Sequence, residues 1–294
     1  MATLALADGR IMAYHVHGAE TGKPVLFVHG GTDSGLLRHH DDALTSSMGV
    51  RLISPDLPSI GDSSSDPHGG CAGWASDAMA LMDSLGIDKF SIAAHSGGSN
   101  YALALAHALP HRVTRIVLAA PIVGLDAPDA PRFIISEELN SILRFHRWRL
   151  YPLTRLAFAY HARRVARDVH AFIADTMHSF PADTEIIIGH PKQYRIFEES
   201  FRAGMGKGGR GLYEIMRNVL GPPGFLLNQI RQPVTIFYGD SDDIIMPEIP
   251  LRLAAQLPDC KTHLWSDASH YAFISRERWI EFLEAAVGEK KEEN

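Results

Sequence analysis

Short runs of consecutive apolar residues recur along this chain and predict buried β-strands, because a strand covered on both faces needs no polar positions. The predicted strands occupy residues 10–16, 24–28, 50–54, 90–94, 115–120, 234–238 and 262–265. Apolar residues at helical spacing predict helices at 74–85, 98–109, 251–257 and 276–287. This alternation predicts an α/β fold class, with a mostly parallel sheet of about eight strands covered by helices on both faces.

The alternation breaks between about residues 122 and 229, where helical spacing continues with little strand signal. This stretch carries 14 of the 28 lysines and arginines. The strand pattern resumes afterwards, and two strands are too few to form a stable domain alone. We therefore predict one core formed by residues 1–121 and 230–294, with residues 122–229 inserted after the sixth strand as a helical unit.

Composition is that of an ordinary soluble globular protein, with 46% apolar and 21% charged residues in a chain of 294. A net charge of −6 does not favour nucleic acid or an acidic membrane as a partner. The start of the chain is too short an apolar run for a signal peptide, and no run reaches membrane-spanning length. The two cysteines are expected to be reduced in a cytoplasmic protein, and the charged residues 289–294 to form a solvated tail.

Ser96 stands where a predicted strand turns directly into a predicted helix, in Ala94-His95-Ser96-Gly97-Gly98. Strand and helix nearly touch at such a turn, so the residues two places before and after the serine must be small. Ala94 and Gly98 meet that requirement. The setting indicates a nucleophilic serine that is lifted out of the sheet.

A serine nucleophile needs a histidine base, and that histidine needs an acidic partner to orient it. Two late loops offer these groups at the ends of predicted strands: residues 239–247, with several aspartates, and residues 266–270, which end at His270. Sites form at the carboxyl ends of parallel strands. The predicted order along the chain is Ser96, then Asp242, then His270.

With these residues the chain resembles the α/β-hydrolase fold superfamily, specifically its serine hydrolases that carry a cap. The resemblance covers nearly all of the core, and its motifs follow in the family's order. They are His29-Gly30-Gly31, the loop 56–63, the turn at Ser96, the loop from Gly239 to Asp242, and His270. Ala94 replaces a glycine that the family usually has, which adds one methyl group at the turn.

The resemblance implies a role for each matched residue. Ser96 matches the nucleophile, His270 the general base, and Asp242 the orienting acid, with Asp243 as the alternative acid. The backbone N–H groups of Gly31 and Gly97 match the oxyanion hole. Residues 122–229 match the cap, and its candidate pocket residues are mainly apolar: Phe133, Ile134, Leu143, Phe145, Trp148 and Tyr151.

The sequence predicts neither a cofactor nor a metal site, because pairs such as His39-His40 lack a Cys or carboxylate at ligand spacing. The predicted partner is a small-molecule substrate, without nucleic acid or membrane, and a homodimer is compatible with the sequence.

The predicted function is hydrolysis of a small to medium, mainly hydrophobic ester or lactone. Two alternatives stay open: hydrolysis of a carbon–carbon bond on the same scaffold, and a small-molecule receptor that retains the triad.

Overall fold

The computed structural model describes residues 1–66, 68–179 and 181–288, so the predicted solvated tail at 289–294 lies outside the described residues. The strands are β1 (Ala2–Ala5), β2 (Ile11–Gly18), β3 (Lys23–Val28), β4 (Val50–Pro55), β5 (Phe90–His95), β6 (Val113–Ala119), β7 (Val234–Gly239) and β8 (Cys260–Trp265). The helices are α1 (Asp42–Ser47), α2 (Gly70–Ser84), α3 (Gly98–Ala108), α4 (Glu137–Arg147), α5 (Tyr151–Arg167), α6 (Val169–Ser179), α7 (Pro181–Ile188), α8 (Pro191–Gly204), α9 (Arg210–Val219), α10 (Glu248–Ala254) and α11 (Arg276–Val287).

In the described chain, eight strands form one sheet in the order β1-β2-β4-β3-β5-β6-β7-β8. The strands from β3 to β8 are parallel, whereas β2 pairs antiparallel with both β1 and β4. The predicted α/β fold class is therefore confirmed. The sequence did not predict β1, because this short edge strand is mostly exposed and no buried apolar run marks it.

The central strands are buried on both faces, which explains why their sequences show no alternation of apolar and polar residues. Every residue of β5 is buried, as are the last four residues of β3. Large aromatic side chains fill the space between sheet and helices: Trp279 of α11 meets Phe27 of β3 with ring centroids 6.5 Å apart. This packing fixes the strand ends from which the candidate site residues project.

Helices α4 to α9 lie between β6 and β7, and we call residues 122–229 the helical segment. Hydrogen bonds join it to loops that follow core strands. The backbone N–H of Ser34, after β3, donates to Ser200 Oγ of α8 at 2.9 Å. The hydroxyl of Ser59, after β4, donates to the carboxylate of Glu214 in α9 at 2.8 Å. The helical segment thus lies against the carboxyl ends of the strands.

Candidate active site

Ser96 occupies a tight turn between β5 and α3. Its φ of 52° lies in the left-handed region, where residues other than glycine are uncommon. Gly97 caps the helix that begins at Gly98. A non-glycine residue held in this conformation stores strain, and such strain concentrates at functional sites. The turn matches the geometry that exposes a nucleophilic hydroxyl at the end of a strand.

Gly98 is required by the close approach of α3 to β3. A β-carbon at Gly98 would lie 2.4 Å from the carbonyl oxygen of His29 and 2.5 Å from that of Val28. Since both contacts are to backbone, neither can move aside cheaply. We expect Gly98→Ala to lower the free energy of unfolding by about 3 kcal/mol, the upper range for overpacking.

Urea unfolding followed by circular dichroism measures this loss. Gly73→Ala is the matched control, because a β-carbon there, within helix α2, meets only the Asp66 carboxylate at 3.6 Å. Alanine is the better helix former, so the control should keep or gain stability. Equal stability of Gly98→Ala and wild type would contradict the close-approach explanation.

Asp242 and His270 meet at the ends of β7 and β8. His270 Nδ1 lies 2.8 Å from Asp242 Oδ2, and both side chains are almost fully buried. The backbone N–H groups of Ile244 and Ile245 donate to the other oxygen, Asp242 Oδ1, at 2.7 and 3.1 Å. It is thus the carboxylate of Asp242, rather than that of Asp243, that contacts the imidazole. With Nδ1–H donating to Asp242, Nε2 is left as the basic nitrogen.

The charge around His270 favours its protonated form. Burial alone would lower the pKa of this imidazole, but the charge and hydrogen bond of Asp242 outweigh burial, with help from Asp183 and Asp33. The net effect is a raised pKa. An imidazolium formed during a reaction would therefore be stabilised where it arises.

The loop after β3 runs directly beside Ser96. A β-carbon at Gly30 would lie 3.2 Å from Ser96 Cβ. The buried ring of His29 holds this loop: its Nε2 accepts from the Leu57 backbone N–H at 3.1 Å, and its Nδ1–H donates to the Gly30 carbonyl at 2.8 Å. In the described chain, the N–H groups of Gly31 and Gly97 donate to no protein acceptor, so both are available to a ligand.

Ser96, His270 and Gly31 line one cavity that encloses about 160 Å³. Its walls are mainly apolar: Ile122, Leu139, Ile142, Phe158, Phe172, Phe201, Met205, Leu212, Met216 and Ile244. Its polar side chains include two carboxylates, Asp33 and Glu138, and it has no lysine or arginine among the described residues. Helices α4, α5, α6, α8 and α9 all contribute, so the helical segment forms most of the wall.

The prediction of individual pocket residues was wrong. None of Phe133, Ile134, Leu143, Phe145, Trp148 and Tyr151 lines the cavity that contains Ser96. Helix α4 turns Leu139 and Ile142 toward the cavity, whereas Trp148, beyond its end, is 68% exposed. The six predicted residues lie in the segment that lines the cavity, but not at the positions of that segment that face it.

Sequence reasoning also missed polar residues around His270. The hydroxyl of Tyr271 donates to Asp33 Oδ1 at 3.3 Å, and Asp183 of α7 accepts from the Tyr271 backbone N–H at 3.1 Å. The ring of His95 stacks on Phe273 and lies 3.1 Å, at Nε2, from the His270 carbonyl oxygen. Two of these residues had a signal in the sequence, since Tyr271 follows His270 and His95 precedes Ser96.

Among the described residues, no cluster of three histidine, cysteine or carboxylate side chains is arranged to bind a metal ion. Nor does any described helix have the length and apolar character to cross a bilayer.

Known protein families and solved structures share the fold of this chain. A family model described as alpha/beta hydrolase fold matches residues 23–277. A 2-hydroxy-6-oxo-2,4-heptadienoate hydrolase of Pseudomonas putida is 23% identical over 284 residues, covering 94% of this chain and 91% of that protein.

Solved structures share the fold over nearly the whole chain. The enol-lactonase from Burkholderia xenovorans superimposes with a TM-score of 0.68 at 18% identity, covering 97% of this chain and 98% of that one. A thermophilic esterase from Thermogutta terrifontis gives 0.65 at 21% identity, covering 95% and 94%. At these identities the likeness is one of fold.

Proposed function

This chain belongs to the α/β-hydrolase fold family, and we propose that it hydrolyses a small, uncharged and mainly apolar carboxylic ester or lactone through an acyl-enzyme on Ser96. The observation that carries the proposal is the cavity around Ser96 and His270, which is mainly apolar and contains two carboxylates but no described lysine or arginine. A cavity of about 160 Å³ suits a group of about one aromatic ring, since an apolar cavity of about 150 Å³ holds benzene.

In the proposed reaction, Ser96 Oγ attacks the carbonyl carbon while its proton passes to Nε2 of His270. Asp242 stabilises the imidazolium, and the N–H groups of Gly31 and Gly97 receive the negative oxygen. The intermediate collapses as the carbon–oxygen bond breaks, and the leaving alkoxide takes the proton from His270. Water, deprotonated by the same nitrogen, then attacks the acyl group, and its proton returns to Ser96 as the acid leaves.

We further propose that the core comprises residues 1–121 and 230–294, and that the helical segment at 122–229 acts as its cap. The contacts of Ser200 and Glu214 with core loops support this assignment. The share of the cavity wall contributed by α4, α5, α6, α8 and α9 also supports it. Substrate selection would then reside in the helical segment, and chemistry in the core.

Hydrolysis of a carbon–carbon bond is the second candidate, because relatives such as the heptadienoate hydrolase are named for substrates that contain no ester bond. As its name states, that substrate is a carboxylate. A buried carboxylate needs a positive partner, but the described cavity has no lysine or arginine, and its His161 already contacts the Glu138 carboxylate at 3.3 Å. Cavity charge therefore favours the neutral ester over the dienoate.

We expect the enzyme to prefer a neutral acyl group over an anionic one of equal length. kcat/KM for para-nitrophenyl butyrate should exceed that for mono-para-nitrophenyl succinate by about tenfold or more, because each tenfold needs only about 1.4 kcal/mol of repulsion. Initial rates measured by nitrophenolate release test this. Glu138→Gln removes one negative charge from the cavity wall, so it should bring the kcat/KM values for the two esters closer together.

Preference for the succinate ester would contradict the proposed substrate class. Hydrolysis of 2-hydroxy-6-oxo-2,4-heptadienoate with a higher kcat/KM than every neutral ester tested would establish the carbon–carbon alternative.

A further inference from the structure

A second carboxylate is buried against the loop that carries His270, and the proposed reaction does not use it. Asp183 lies in helix α7 of the helical segment and is fully buried. Both of its carboxylate oxygens lie 3.1 Å from the backbone nitrogen of Tyr271, the residue that follows His270. The helical segment therefore contacts the histidine loop through a charged group with a defined acceptor geometry.

Tyr271 extends this contact to the loop that holds Gly31. Its hydroxyl lies 3.2 Å from Thr32 Oγ1 and donates to Asp33 Oδ1 at 3.3 Å. Its ring packs edge-on against Phe197 of α8, with centroids 5.3 Å apart. Asp183 thus holds a residue that touches both the histidine loop and the predicted oxyanion loop.

Asp183 is costly to keep ionised where it lies. Burial raises its pKa to about 6, although the N–H of Tyr271 and the positive form of His270 work in the opposite direction. A carboxylate whose pKa is raised on folding destabilises the folded protein above its unfolded pKa, so at neutral pH this group lowers stability. A neutral side chain of the same shape would cost less.

The charge of Asp183 acts on His270, where it helps to raise the pKa of the imidazole. The groups that face this pair come from the end of β5 and from the loops after β3, β7 and β8: His95, Asp33, Asp242, Asp243, Ser269 and the backbone N–H of Tyr271. Asp242 contacts the imidazole directly, whereas Asp183 reaches it through the neighbouring residue.

We propose that Asp183 is a positioning residue for His270, which fixes the histidine loop against the helical segment and adds negative charge that stabilises the imidazolium. This inference rests on the proposed function, in which His270 is the base. It gives the helical segment a part in catalysis as well as in enclosing the substrate.

Asp183→Asn tests the proposal, because asparagine keeps the shape and one acceptor but removes the charge. We expect kcat on para-nitrophenyl butyrate to fall about tenfold, the effect of one pKa unit of lost stabilisation, with little change in KM. The acidic limb of the kcat/KM profile should move to lower pH, because His270 then loses its proton more readily. Thermal unfolding at pH 8 should occur at the wild-type temperature or above it.

Glu214→Gln is the matched control. Glu214 is a buried carboxylate of the same helical segment, but it binds Ser59 and Arg210 instead of the His270 loop. This variant should keep the wild-type kcat and the wild-type acidic limb. The proposal would be overturned if Asp183→Asn had the kcat and the acidic limb of wild type. It would also be overturned if Glu214→Gln lost as much kcat as Asp183→Asn.

A strongly lowered unfolding temperature of Asp183→Asn would also overturn the proposal, because the buried charge is expected to cost stability. Phosphonate labelling of Ser96 separates this inference from the proposed function. An unlabelled wild type rejects the nucleophile, whereas a labelled wild type with an unaltered Asp183→Asn rejects only the positioning role.

Discussion

Ser96→Ala is expected to lower kcat on a neutral ester by about 10⁴- to 10⁶-fold, while the folded structure is retained. The loss is large because no other group can form the acyl-enzyme, and the oxyanion donors alone provide only residual catalysis. Ser96 lies in a strained turn beside Gly30 and lines the same cavity as His270. Removal of its hydroxyl leaves that turn intact.

The measurement combines steady-state turnover with mass-spectrometric detection of a phosphonate adduct. Ser99→Ala is the matched control, since Ser99 is buried on α3 one turn beyond the nucleophile and lines no part of the cavity. It should label and turn over like wild type. Near-normal turnover in Ser96→Ala would disprove the mechanism. Labelling of Ser96 in the wild-type protein without any ester turnover would instead indicate the small-molecule receptor that retains the triad.

Asp242→Asn should lower kcat by about 10⁴-fold, with little effect on KM. An asparagine at this position can donate its amide to Nδ1 and so stabilise the wrong tautomer of His270, with the proton on Nε2. That nitrogen can then no longer accept the proton of Ser96. The 2.8 Å contact between Asp242 and His270 Nδ1 is the basis of this expectation.

Asp243→Asn provides the matched comparison, because this neighbour has the same charge but does not contact the imidazole. It should retain activity within about tenfold of wild type. A reversed result, with Asp243→Asn inactive and Asp242→Asn active, would show that the alternative acid is the functional one. Kinetics of both variants over the same pH range distinguish these outcomes.

The parts of the molecule that the sequence predicts well are those fixed by local chemistry. Buried parallel strands must be continuously apolar, and this located β3 to β7 within a few residues. The turn at Ser96 requires small neighbours, and the backbone contacts that a side chain at Gly98 would make explain why. Because parallel strands end at one edge of the sheet, the positions of Asp242 and His270 directly after two strands predicted that they lie in one site.

The parts that the sequence could not predict depend on how the helical segment packs. Helical spacing shows that α4 has an apolar face, but not whether that face meets the cavity or the rest of the core. Leu143 is fully buried without lining the cavity, whereas Leu139 and Ile142 line it. Asp183 resembles any polar residue of a surface helix until the contact with Tyr271 is known.

The position of β7 and β8 after the helical segment also has a consequence for synthesis of the protein. β7 pairs with β6, although more than a third of the chain separates these two strands. Ser96 therefore leaves the ribosome long before Asp242 and His270. In the proposed reaction the serine has no base until synthesis is almost complete, so a partly synthesised chain is expected not to hydrolyse esters.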